Sequence, residues 1–67
     1  MKYYVIEAMT TGDTVAKAVR EYDTENIAFM NFHQVLASAL TNGNVDKGFC
    51  SVLNEYGAVV RNEYFQK

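Results

Sequence analysis

A chain of 67 residues with 49% hydrophobic residues, five tyrosines and four phenylalanines is sized for one small folded domain, residues 1–67, and is too apolar for a disordered protein. Its net charge of −2 and its six scattered Lys and Arg residues argue against non-specific nucleic-acid binding, which depends on clustered positive charge. The single cysteine excludes a disulfide framework, so a second copy of the chain is the remaining common way to add buried area.

The first 22 residues predict a β-hairpin. Tyr3–Met9 is largely apolar on both faces, which is typical of a central strand or of a strand at an interface. The turn at Thr10–Thr14 contains Gly12, which tolerates a positive φ. Val15–Tyr22 would also suit a helix by its Ala, Lys and Glu content. We interpret it as a strand, because a short turn lets it pair with Tyr3–Met9.

The segment Ile27–Leu40 has the apolar spacing of an amphipathic helix. Asp23 or Thr24 is the expected N-cap, and Asn42-Gly43 is expected to end the helix with a residue in the left-handed conformation. The predicted buried arc consists of Ala28, Phe29, Phe32, Val35, Leu36, Ala39 and Leu40.

Two apolar residues of this helix, Ile27 and Met30, lie outside the predicted buried arc. Either the first turn of the helix is covered in part by a loop, or these two side chains contact a partner.

The last third of the chain predicts a second hairpin, in which Phe49–Glu55 and Ala58–Phe65 flank Tyr56-Gly57. A two-residue turn would place Leu53 opposite Val60 and Phe49 opposite Tyr64, with these four side chains on the core face. A four-residue turn starting from Asn54 is the alternative, and it would change the register and the buried face.

These elements predict an α+β domain of order ββαββ, a four-stranded antiparallel sheet with one helix packed on one face. One helix covers only one face of such a sheet, whereas several of the predicted strands are apolar on both faces. The uncovered face must meet water, a ligand or another copy of the chain. We therefore predict a homodimer or a larger homo-oligomer, formed through the free face or through a sheet edge.

No catalytic, cofactor or metal motif stands out. His33 and Cys50 are too few for a structural zinc site, and no spacing supplies His33 with a nucleophile or an orienting acid. The four glycines are isolated, so there is no phosphate-binding loop. We predict a binding protein, not an enzyme, with no cofactor and no metal.

Two kinds of partner fit this prediction. The first is another protein, with which the chain acts by interaction or inhibition. The second, as the alternative, is a nucleotide-like ligand held between subunits by tyrosine stacking and by basic side chains. The candidate ligand- or partner-binding residues are Tyr3, Arg20, Ile27, Met30, His33 and Arg61.

Three stretches carry a resemblance to a known family: the opening Met1–Thr11, the pair Phe32–Gln34 and Ala37–Ala39, and Asn54–Val59. With these segments the chain resembles a family of short uncharacterised proteins of gut Gram-positive bacteria and their phages and mobile elements. The resemblance implies a bacterial or phage intracellular protein, and it carries over no site residues. The first apolar run is interrupted by Glu7, so we expect no membrane span, and we expect a cytoplasmic location.

Overall fold

A computed structural model describes all 67 residues and confirms the α+β architecture, with four antiparallel strands in one sheet and a single helix. The elements in chain order are β1 (Tyr3–Thr11), β2 (Thr14–Tyr22), α1 (Glu25–Thr41), β3 (Lys47–Asn54) and β4 (Val59–Gln66). No helix is long and apolar enough to cross a membrane.

The sheet has the strand order β2-β1-β3-β4, so the first strand of each hairpin lies at the centre and the second lies at an edge. The ambiguous segment at 15–22 is a strand, as predicted. It pairs with β1 from Thr11 opposite Thr14 to Tyr3 opposite Tyr22. Gly12 takes a φ of 58° in the turn, which is the positive value that its lack of a side chain allows.

The helix begins as predicted and ends differently. The Thr24 hydroxyl accepts a hydrogen bond from the Ile27 N–H at 3.3 Å, so Thr24 is the N-cap. The predicted left-handed residue at Asn42-Gly43 is wrong, because Asn42 is extended with a φ of −83° and Gly43 has no positive φ. The Lys67 ammonium instead donates to the Ala39 and Asn42 carbonyls, at 2.8 and 2.7 Å, and supplies positive charge at the helix C-terminus.

The core lies between α1 and the two central strands. Its fully buried members are Val5, Ala28, Phe32, Cys50 and Val52. Leu40, predicted to be buried, is 54% exposed. Because Ala39 is buried and successive residues are about 100° apart around the helix axis, Leu40 points away from the sheet.

The second hairpin corrects the predicted register and the predicted buried face. Its loop is the four-residue alternative, in which the Asn54 side chain accepts from the Tyr56 and Ala58 N–H groups at 2.9 and 3.1 Å. A bulge next to Val52 and Leu53 then places Leu53 opposite Val59, not Val60.

The pairing of Phe49 with Tyr64 is confirmed, but the face on which they lie is not the core face. Cys50 and Val52 face the helix and are completely buried, whereas Phe49 and Tyr64 are exposed. The helix packs against the side of β3 that carries Gly48, Cys50 and Val52.

Candidate functional site

The sheet face opposite the helix, called the open face below, carries most of the uncovered apolar surface. Val5 and Val52 face the helix, so strand alternation and register turn their neighbours in each strand to the other side. The apolar side chains of the open face are Tyr4, Ile6, Ala8, Val15, Val19, Phe49, Leu53, Val59 and Tyr64. Three of them are strongly exposed: Val19 by 65%, Val59 by 63% and Tyr64 by 81%.

Polar residues of the open face lie mainly towards its borders. Lys17 and Glu21 belong to the edge strand β2, and Lys47 begins β3. Nearer the centre, the Ser51 hydroxyl donates to the Asn62 side-chain oxygen across the β3–β4 pair. An apolar centre with a charged border is the usual anatomy of a protein interface.

The covered side of the sheet contains a polar cluster between strands and helix. Arg20 donates to Glu7 at 3.1 Å and to the Asn31 side chain at 3.0 Å, so β2, β1 and α1 are linked through one guanidinium. Burial acts against the charged form of Arg20, but the hydrogen bond and negative charge of Glu7 outweigh it and raise the pKa of Arg20.

Next to this cluster is an open cavity of about 320 Å³ between β1 and the second half of α1. It is lined by Glu7, Met9, Gln34, Val35, Ser38, Ala39, Asn42 and Val45. Glu7 is the one charged residue of this lining, and its carboxylate is already paired with Arg20. The cavity therefore presents no free positive charge to an anion.

The cysteine and the histidine of the chain have different surroundings. Cys50 is fully buried, and burial raises the pKa of its thiol to about 11, so it is a neutral apolar side chain at neutral pH. His33 is exposed, and its ring meets the Phe32 ring edge-on at a centroid distance of 5.2 Å. No group of three or more His, Cys, Asp or Glu side chains could hold a metal ion.

The two candidate arginines do not converge on one site. Arg20 lies on β2 and Arg61 on β4, which form opposite edges of the sheet with β1 and β3 between them. Arg20 is already engaged by Glu7. The Arg61 guanidinium lies over the Phe29 ring, 5.5 Å from its centroid, in a cation–π arrangement.

The other four candidates are also distributed over the molecule. Tyr3 packs against the core, and burial together with the nearby Glu25 carboxylate raises its pKa. Ile27 and Met30 are exposed on the helix, in agreement with their position outside the predicted buried arc. The six candidates therefore do not form a single site within one chain. The open face holds more of the exposed large apolar side chains than the helix does.

No family model, curated protein or solved structure matches this chain.

Sequence reasoning missed the open-face members of the second hairpin, because it assigned Phe49, Leu53 and Tyr64 to the core. The signal that could have corrected this is the size of the side chains on the other face of β3, where Gly48, Cys50 and Val52 alternate. A strand face of small residues is the one against which a helix can lie closely. The larger residues then belong on the open side.

Proposed function

We propose that this protein is a non-catalytic, homo-oligomeric binding protein that acts by protein interaction or inhibition in the cytoplasm of a bacterium or phage-infected cell. Its open face would be the contact surface, and a second copy of the chain its occupant, sheet against sheet. The observation that carries this proposal is the exposure of Val19, Val59 and Tyr64 on a face that no second layer of the chain covers.

The small core supports the proposal from another direction. Only eight of the 67 residues are buried, and seven of these are hydrophobic. Domains of this size rarely gain more than about 3–5 kcal/mol from their own core, and oligomerisation is a common way to add to it. Packing two open faces together would bury apolar surface. Each Å² of it stabilises the assembly by about 25 cal/mol, before the costs of association are subtracted.

Contact between two open faces also leaves the helices on the outside of the assembly. Ile27 and Met30, both exposed on α1, then remain accessible to a protein target. In this arrangement the open faces hold the oligomer together, while the helices present the surface with which the protein would sequester or block that target.

The alternative function, sequestration of a nucleotide-like ligand, receives less support. A phosphate needs free positive charge, but Arg20 is paired with Glu7, and the charged residue of the cavity is an acid. We expect a panel of nucleotides to leave the melting temperature unchanged. A clear stabilisation by one of them would favour this alternative over the interaction protein.

The test of the proposed contact is the mass in solution, measured by light scattering on a sizing column, for wild type and Phe49→Lys. Phe49 lies on a central strand of the open face, so a lysine there would place a charge within the contact and near Lys17 and Lys47. We expect the mass of the assembly to fall by half.

The matched control is Leu40→Lys, which replaces an exposed apolar residue on the helix, away from the open face; Leu40 is 54% exposed and Phe49 39%. It should keep the wild-type mass. Val19→Lys, at a still more exposed open-face position, repeats the test if Phe49→Lys does not fold. Wild-type mass for both open-face variants, each folded by circular dichroism, would overturn the proposal.

A further inference from the structure

The edge strand β4 is left without cover on its outer side. The helix packs over β1, β2 and β3 and not over β4. Seven of the eight β4 residues are exposed, from Val59 to Tyr64 and again at Gln66. The strand contains no proline, and its one irregularity is the bulge near its start, so its second half is a regular edge that can accept another strand.

The hydrogen-bonding direction of β4 follows from one contact. The Lys67 N–H donates to the Asp46 carbonyl at 2.9 Å, and in an antiparallel pair such bonded positions alternate. Glu63 and Phe65 therefore direct their backbone groups towards β3. Asn62 and Tyr64 direct theirs outwards, where they have no strand to pair with.

The side chains of this edge are complementary to those of the same strand turned around. If two β4 strands pair antiparallel about a two-fold axis at Asn62, Arg61 of each copy lies opposite Glu63 of the other. The backbone N–H and C=O groups of Asn62 point outwards, so the two Asn62 residues at this axis can exchange hydrogen bonds. Two cross-strand pairs of opposite charge follow from one symmetric contact.

Neither Arg61 nor Glu63 has a partner of opposite charge within the chain, although the Arg61 guanidinium lies over the Phe29 ring. The same register also sets Val60 opposite Tyr64 of the other copy, and both of these side chains are exposed in the single chain. Pairing would give all four of these side chains a partner.

The other edge strand, β2, is less suited to pair with a second copy of itself, because two of its charged side chains already have partners. Pairing about Val19 would set Lys17 opposite Glu21 of a second copy, but Glu21 already lies 3.5 Å from the Lys2 ammonium. A second charged residue of β2, Arg20, is also occupied, because it is paired with Glu7. The charges along β4 are therefore the ones that still need a partner.

We propose that β4 pairs antiparallel with β4 of a second copy about Asn62, which extends the sheet from four strands to eight. The two-fold axis of this contact is perpendicular to the sheet, so both helices lie on one side and both open faces on the other. The inference does not depend on the proposed contact between open faces. With both contacts present, the assembly contains four chains.

The experiment measures mass in solution for Phe49→Lys, in which only the edge contact is expected to remain, and for the same variant with a charge reversal on β4. Phe49→Lys should contain two chains. Adding either Arg61→Glu or Glu63→Arg places like charges opposite each other and should give one chain. An equal mixture of these two reversed proteins pairs opposite charges again and should return to two chains.

The outcomes separate this inference from the proposed function. Wild type with two chains and Phe49→Lys with one would overturn the edge contact and leave the open-face contact standing. Two chains for both proteins, reduced to one by either charge reversal, would support the edge contact and overturn the open-face contact. Unchanged mass on charge reversal in the folded variants would overturn the edge contact directly.

A backbone variant provides an independent check. Asn62→Pro removes an N–H that points away from β3, so the four-stranded sheet of the single chain keeps its ladder while the edge contact loses its central hydrogen bonds. Val19→Pro is the matched control on β2, and both proline substitutions are made in Phe49→Lys, in which the open-face contact is already removed. We expect only Asn62→Pro to halve the mass, and halving by Val19→Pro alone would move the contact to the other edge.

Discussion

The two faces of the sheet differ in the size of their side chains and in what covers them. On the covered face, small side chains such as Cys50 let the helix approach, and Phe32 fills the space between α1 and the strands. On the open face, larger apolar side chains such as Phe49 and Tyr64 remain in contact with solvent. A strand that is apolar on both faces can therefore be buried on one face only. The size of its side chains can decide which of the two faces the helix covers.

The largest expected effect tests whether the covered face carries the stability of the single chain. Phe32→Ala should cost about 3–5 kcal/mol of unfolding free energy, because it leaves a cavity among fully buried side chains. Since this is as much as a domain of this size gains from its own core, we expect the single chain of this variant to be largely unfolded already without urea. Val19→Ala on the open face should cost less than about 0.5 kcal/mol in the monomer. Urea unfolding of both variants, followed by circular dichroism, measures the difference.

Protein concentration sharpens this first comparison. If the open face is buried in an assembly, the cost of Val19→Ala should grow as the concentration rises, whereas that of Phe32→Ala should persist at every concentration. Equal costs at high dilution would show that the two faces do not differ as described.

A second expected effect concerns how closely the covered face is packed around β1 and β3. A Cβ added at Gly48 would lie 2.6 Å from the Ala8 carbonyl oxygen and 2.5 Å from the Met9 sulfur, and the backbone atom cannot move aside. Gly48→Ala should therefore cost about 1–3 kcal/mol of unfolding free energy.

The matched variant for this test is Gly43→Ala, where a Cβ would have no neighbour within 4 Å and φ is not positive. It should leave stability unchanged or slightly raised, because alanine restricts the unfolded chain. Thermal unfolding of the two variants side by side gives the comparison, and equal melting temperatures would contradict the close packing at Gly48.

A smaller effect is expected for the polar cluster that joins the covered face to the helix. Glu7→Gln removes the charge that pairs with Arg20, and because both side chains are partly exposed to solvent we expect a cost of only roughly 1 kcal/mol. A double-mutant cycle with Arg20→Gln should assign most of this cost to the pair. Additive costs of the two substitutions would exclude a direct interaction.

The smallest effect is expected at the exposed rim, where the Lys2 ammonium hydrogen-bonds to Asp23. This contact lowers the pKa of Asp23 relative to the unfolded chain, so its stabilisation is present at neutral pH and is lost as pH falls below about 4. Asp23→Asn should melt slightly below wild type at pH 7, and the two curves should converge at acid pH. A constant difference across this range would exclude the pair as its cause.

The fold was largely predictable from local patterns, whereas its faces were not. The helix and four strands follow from apolar spacing and from Gly12, because these signals act over a few residues. The side of β3 that is buried depends on a bulge near Leu53 and on a four-residue loop held by Asn54, which no short pattern specifies. The sequence also carries no sign that Lys67 would end the helix, since the two segments meet only in the folded chain.

The existence of a free sheet face was predictable from the sequence, but the residues that lie on it were not. A sheet with one helix must leave a face free, and that argument needs no register. Which residues occupy that face follows from the pairing of β1 with β3, whose partners Tyr3 and Asn54 are far apart in the chain. Arg20 and Arg61 are both candidate binding residues, and the strand order sets them on opposite edges of the sheet, so they do not meet within one chain.

The strand order also affects how the chain can fold as it is synthesised. Proteins are made from the N-terminus, so β1, β2 and the helix emerge first. The central strand β3, which supplies Cys50 and Val52 to the core, is made only after the helix. The nascent helix therefore has only half of its platform until β3 has emerged, and the core between α1 and the two central strands cannot form before then.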